Sequence, residues 1–352
     1  MRKTIGCVAV LLVAAAALGA DIDLTKTGGP SAKASIDLSG LVPMGGAAAL
    51  FNKTLANDLA RSGEFVLIEG GGALKVIGSA TDGGSKLAVK CQVRAAIGKV
   101  YLDKDYSDES RGARRLAHKV ADDILWAVKQ KKGMASTRIV MVGKSGNKKD
   151  LYMCDADGAG MVQLTKDGQP IIAPRWAPDG SGVVYTSYKT GSPDVYFLDL
   201  TAYTWKRIVG FPGTNVGGDV SPDGRNLAVI VSKDGNPELY IVPMRGGRPT
   251  RITSTARVAE SSPSWSPDGG QIVFVSNAAR LPQMYITDLS GAQRRLNLAG
   301  SENVSPDFCT TMRSTSSCGR IVSPLTLISE ILYWSPSVTP AVMNMSRLSG
   351  LI

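Results

Sequence analysis

Histidine is nearly absent: His118 is the one such residue among 352. A Ser-His-Asp or Cys-His nucleophilic site would have to be built on that ring, which falls in a helical pattern with no serine elbow or cysteine beside it. An H-E-x-x-H metal site needs two histidines and is excluded. The five cysteines include no C-x-x-C pair and no zinc spacing, so they permit a disulfide without indicating one. Gly70-Gly71-Gly72 lacks the spacing of a phosphate-cradling loop. Asp155-Ala156-Asp157-Gly158 starts like a calcium loop but lacks the later acidic ligands, and reads as a hairpin turn. No catalytic residue, metal ligand or cofactor is expected.

Long apolar runs are also scarce. Val8 to Leu18 is shorter than the roughly 20 residues that cross a bilayer, and no later segment is longer and as apolar. Behind Arg2 and Lys3, and ahead of the small residues Ala17 and Gly19, it reads as a signal peptide over 1–19 with cleavage before Ala20. No membrane span is expected after cleavage. A polar segment over 20–35 follows, read as mobile. The formal charge of +10 becomes +8 once 1–19 is removed, which favours anionic envelope surfaces. The charges form no single dense run, so no nucleic-acid partner is expected.

What the chain has in quantity is turn residues, 39 Gly and 18 Pro, in an ordinary globular balance of 43% apolar and 20% charged residues. This suits many short strands joined by tight turns. Residues 36–134 read as a small α+β domain. Ala48, Phe51, Leu55 and Leu59 make one helical face, stopped by Gly63. Strands are expected at 65–68, 75–78, 86–94 and 99–102. A second helix over about 108–131 carries the stripe Ala113, Leu116, Ala117, Val120, Ile124, Ala127 and Val128, with Arg115, Lys119, Asp122 and Asp123 wet, and ends at Gly133.

From Arg138 a repeat takes over. Trp176-Ala177-Pro178-Asp179-Gly180 returns as Val220-Ser221-Pro222-Asp223-Gly224 and as Trp265-Ser266-Pro267-Asp268-Gly269, at steps of 44 and 45 residues. Each Pro-Asp-Gly precedes an apolar strand (183–185, 227–231, 272–275), a polar turn, a second strand (194–198, 238–242, 283–287) and a short basic strand such as 205–208 or 250–253. Four strands in about 40–45 residues is the period of a propeller blade. Pro fixes the second turn position, Asp bonds the backbone two residues on, and Gly takes the φ > 0 site. Trp176 and Trp265 are expected to wedge between blades. The fold class is therefore an α+β N-terminal domain followed by an all-β propeller over 135–308, with three to four recognisable blades.

Binding sites on propellers lie where loops lead into the inner strands. The residues expected there are Ile172, Ala173, Thr214, Asn215, Gly217, Ser261, Ser262 and Asn303, small and polar rather than catalytic.

Leu59 to Phe65, Ala117 to Ile124 and Lys132 to Val140, with the three Pro-Asp-Gly blades, resemble the TolB family, periplasmic components of the Tol–Pal system. The resemblance covers about 36–308. It implies a periplasmic location, no enzymatic activity, binding of a Pal-like peptidoglycan-associated lipoprotein at the propeller mouth, and contact of a TolA-like inner-membrane protein with the mature N-terminus, Asp21 to Lys33. It also implies a role in envelope integrity and cell division. The family's six-bladed ring closes with a C-terminal Trp-Ser-Pro strand. Here Ser305-Pro306-Asp307-Phe308 keeps the period, but Cys309-Thr310-Thr311-Met312 loses it, leaving 309–352 as an aberrant tail. Either the frame is broken near 308, or Trp334-Ser335-Pro336 closes a shortened ring. Two other functions remain open from the residues: the propeller of a hydrolase lacking its catalytic domain, and a binder of cell-wall polymer.

Overall fold

The computed structural model describes residues 33–298, 300–309, 320–322 and 333–334. The expected signal peptide and almost all of the N-terminal segment lie outside them, as does most of the tail. The first domain is a five-stranded sheet with two helices on one face. Its strands are β1 (Ala34–Met44), β2 (Phe65–Leu67), β3 (Leu74–Asp82), β4 (Lys86–Ala95) and β5 (Val100–Glu109), in the order β2-β1-β3-β4-β5. Helix α1 (Gly46–Arg61) buries Ala48, Phe51, Leu55 and Leu59, the face that its 3.6-residue period marks. Helix α2 (Ala113–Lys129) buries Ala113, Leu116, Ala117, Val120 and Ile124 against the same core.

Three expectations for this domain change. Strand β5 runs to Glu109 and pairs along nearly all of β4, so residues 108–109 are strand and α2 starts later. Its charged run Asp103-Lys104-Asp105 hid the strand, because an edge strand with a wet face needs little apolar content. Gln130 rather than Gly133 ends α2, in a left-handed conformation (φ 54°) with its N–H bonded to the Trp126 carbonyl. Asp122 and Asp123 are half-buried rather than wet. Asp122 accepts from the Ala135 and Ser136 amides, and Asp123 from the Tyr106 hydroxyl.

Antiparallel four-stranded sheets follow. The second blade is β9 (Ile171–Trp176), β10 (Gly182–Ser187), β11 (Asp194–Asp199) and β12 (Thr204–Val209). The third is β13 (Asn215–Val220), β14 (Asn226–Val231), β15 (Glu238–Pro243) and β16 (Thr250–Arg251). The fourth is β17 (Glu260–Trp265), β18 (Gln271–Ser276), β19 (Gln283–Asp288) and β20 (Gln293–Arg295). In the first, β6 (Arg138–Ser145), β7 (Lys148–Asp155) and β8 (Val162–Gln163) are joined by β23 (Tyr333–Trp334), which pairs with β6 through Tyr333 and Val140. It thereby takes the inner place that β9, β13 and β17 hold in the other blades. A two-stranded sheet of β21 (Asp307–Cys309) and β22 (Arg320–Val322) follows the fourth blade.

The turn chemistry is as the motif requires. The amides of Gly180, Gly224 and Gly269 bond the carbonyls three residues back at 2.8–2.9 Å, with φ of 71–72°. Asp179, Asp223 and Asp268 each accept the backbone N–H two residues on. Trp176 packs with Val140 and Leu151 of the first blade, and Trp265 with Ala228 and Ile230 of the third, so both are wedges between blades.

Candidate functional site

The register places the mouth. Ser187 pairs with both Ile171 and Asp194, Val231 with Asn215 and Glu238, and Ser276 with Glu260 and Gln283. The beginnings of the inner strands thus gather at one end of the blades, and the Pro-Asp-Gly turns at the other. Thr214, Ser261 and Ser262 are exposed there, and Ile172, Ala173 and Gly217 are half-buried. Asn215 and Asn303 are turned inward instead, at 0% and 5% exposure. Their amides are spent on the neighbouring blade, which leaves six of the eight sequence-derived positions exposed or half-buried at that end of the blades.

A backbone feature singles out three of the six. Ala173, Gly217 and Ser262 are left-handed, with φ of 51°, 71° and 50°, and Ser305 continues the series at 55°. Each of the first three sits where its inner strand slips register against the next strand. A bulge at this point adds a residue and re-aims the strand towards the centre. Gly adopts φ > 0 without strain, whereas Ala and Ser do so at a cost of about 1–2 kcal/mol.

Two residues beyond each bulge lies a polar position: Arg175, Asp219, Ser264 and Asp307. Arg175 Nη1 is 3.3 Å from Asp307 Oδ2, and Ser264 Oγ donates to Asp307 Oδ1 at 3.2 Å. The Trp265 amide donates to Asp219 Oδ2 at 2.7 Å, and its indole N–H to the Asp219 carbonyl at 3.0 Å. Burial raises the pKa of Asp219. These inner-strand groups link the second blade to the small sheet after the fourth, and form a polar layer between the bulges and the Pro-Asp-Gly turns.

Beside the mouth a second pattern recurs at the blade period. Asp194, Glu238 and Gln283 open the third strand of successive blades. Each meets a residue of its outer strand, Arg207, Arg251 or Arg295. Asp194 and Gln283 also receive the amide of the next blade's Asn215 or Asn303, both at 3.3 Å. Sequence reading missed this clasp, although its members stand 43–45 residues apart and the period could have found them.

The N-terminal domain is held to the first blade by a cluster of charges. His118 of α2, 3% exposed, has Nδ1 2.6 Å from Asp58 Oδ2 of α1 and Nε2 a longer 3.4 Å from Asp155 Oδ2. Arg114 Nη2 meets Asp157 Oδ2 at 2.5 Å, and its Nε lies 3.4 Å from Asp155. Burial opposes charge on His118, but the Asp155 and Asp58 carboxylates outweigh it and raise the pKa to about 9. The ring is therefore an imidazolium at neutral pH. The expected hairpin turn at 155–158 is present, closed by the Gly158 amide on the Asp155 carbonyl at 2.9 Å. Its carboxylates reach across the domain boundary, which nothing in their own sequence signals. His118, Asp155 and Asp157 bring ligand atoms within 4.8 Å of one another. The guanidinium among those carboxylates makes the arrangement an ion-pair joint rather than a metal cage.

The family model described as the TolB beta propeller domain matches residues 127–315, more than half of the chain. Tol-Pal system protein TolB of Bordetella pertussis is 31% identical over 255 residues, 66% of this chain and 58% of that protein. The same holds for its counterpart in Bordetella bronchiseptica. The chain thus matches less than two thirds of the length of these curated relatives. The crystal structure of TolB from Acinetobacter baumannii superposes with a TM-score of 0.71 at 23% identity, over 89% of this chain and 84% of that one. No helix among the described residues is long and apolar enough to cross a membrane. With its N-terminal α/β domain, its Pro-Asp-Gly blades and the matching family model, the chain belongs to the TolB β-propeller family.

Proposed function

We propose that the chain is a non-catalytic periplasmic adaptor of a Tol–Pal system. In this reading its mouth holds a Pal-like lipoprotein, and the mature N-terminus contacts a TolA-like inner-membrane protein. Through these contacts it supports outer-membrane integrity and cell division. The relatives' name supports the assignment to the system. The observation that carries the binding site is the row of left-handed bulges at Ala173, Gly217 and Ser262, strained at Ala173 and Ser262, because strain held at a repeated position is a mark of a site built for a ligand. The exposed small side chains of Thr214, Ser261 and Ser262 leave room for a partner's loop.

The test is titration calorimetry of the purified chain against the soluble domain of the Pal-like lipoprotein from the same genome. Ser261→Arg and Thr214→Arg, on the mouth surface, are expected to weaken binding at least about tenfold, a change of about 1.4 kcal/mol, with unchanged melting temperature. Unaltered binding by both variants removes the mouth as the site. No binding by the unsubstituted chain removes the Pal-like partner.

A further inference from the structure

The clasp between the third and fourth blades differs from its neighbours. Where the second and fourth blades are met by the amides of Asn215 and Asn303, the third is met by Glu260. Glu238 and Glu260 are 0% and 2% exposed, and the Thr255 hydroxyl lies 3.2 Å from an oxygen of each. A hydroxyl has one proton to donate. If it donates to one carboxylate, its contact with the other needs a proton on that carboxyl.

The remaining partners decide which group carries it. Glu238 accepts from Arg251 Nη2 at 2.9 Å, Asn236 Nδ2 at 3.0 Å, Thr253 Oγ1 at 2.5 Å and the Thr255 amide at 2.6 Å. That set stabilises an anion. Glu260 has the hydroxyls of Thr255 and Ser276, the latter at 3.3 Å, and among the described residues no ion pair to a cation. Around the pair, Arg251 also faces Asp234, which pairs with Lys233 and accepts from Tyr240. Arg251 and Lys233 are thus already matched by Glu238 and Asp234.

We propose that Glu260 is a neutral acid bound against the Glu238 carboxylate, making the seam between the third and fourth blades a proton-dependent contact that weakens when Glu260 ionises. Burial first, and then the Glu238 charge, raise its pKa to about 7. A carboxyl with a raised pKa lends its stability below the unfolded value of 4.5, and that stability is lost as pH climbs through about 7. This inference is independent of the partner bound at the mouth.

Thermal unfolding of the chain and of Glu260→Gln, each at about pH 5 and about pH 9, tests it. The two should melt nearly together in acid, and the variant should melt several degrees higher in base. A difference independent of pH overturns the proposal, as does a variant less stable at both values. Infrared spectroscopy of the unsubstituted chain is a second test that does not need the variant to fold. A protonated carboxyl band that disappears between about pH 6 and about pH 8 is expected, and its absence at the lower pH overturns the proposal.

Discussion

His118 and Asp58, sixty positions apart, meet at 2.6 Å in the buried joint between α1 and α2. With Arg114, Asp155 and Asp157 they make a joint of alternating charge whose members come from two helices and one propeller turn. Removing one member of a buried pair strands the other. His118→Ala is expected to cost about 3–5 kcal/mol in urea unfolding.

The same joint predicts a pH dependence of the opposite origin to that of Glu260. A histidine with a raised pKa contributes stability that is complete below its unfolded value of 6.5 and is lost as pH rises through about 9. The chain should therefore lose melting temperature between about pH 7 and about pH 10, and His118→Gln should flatten that slope.

Arg114 is partly exposed, with a side chain 28% accessible, so its pairing with Asp157 is screened and counts for less. Arg114→Ala is expected to cost about 1–3 kcal/mol. A double-mutant cycle with Asp157→Asn should return most of that as coupling, and additivity would show that the two residues act separately.

The left-handed bulges predict stabilising substitutions. Ala173→Gly and Ser262→Gly, at φ of 51° and 50°, should each raise stability by about 0.5–1 kcal/mol, since relief of a 1–2 kcal/mol strain exceeds the entropy that glycine adds to the unfolded chain. Chemical denaturation checks this, and a loss of stability would mean that the side chain's own contacts outweigh the strain.

Asn215 donates to Asp194, Pro193 and Phe211 at 3.3, 3.2 and 2.8 Å. Asn215→Ala leaves these buried acceptors unmet and is expected to cost about 1–3 kcal/mol. Asn215→Asp would place a second carboxylate against Asp194 and so make that seam lose stability as pH rises, as is proposed for Glu260.

Much of the propeller was legible in the chain because its information is local and repeated. Pro178-Asp179-Gly180 specifies its turn within four residues, and the two later copies confirm the period. The α1 face and most of the α2 stripe were legible for the same reason, as each depends on contacts three or four residues apart. Strand β5 was only half legible, since a charged edge strand carries too weak a two-residue pattern. The gathering of the inner-strand loops at one end of the blades was legible, but not the inward turn of Asn215 and Asn303.

The sequence by itself determined the repeat unit, the turns, the tryptophan wedges and the lack of histidines for a two-histidine metal site. Tertiary structure alone decided which carboxylates face which cations. Asp155 and Asp157 acquire Arg114 and His118 only when the first blade is set against α2, and Glu260 acquires Glu238 only when the fourth blade closes on the third. Hydrogen bonding and burial act through distances of a few ångströms, and the order of residues along a chain does not contain those distances until the chain has folded.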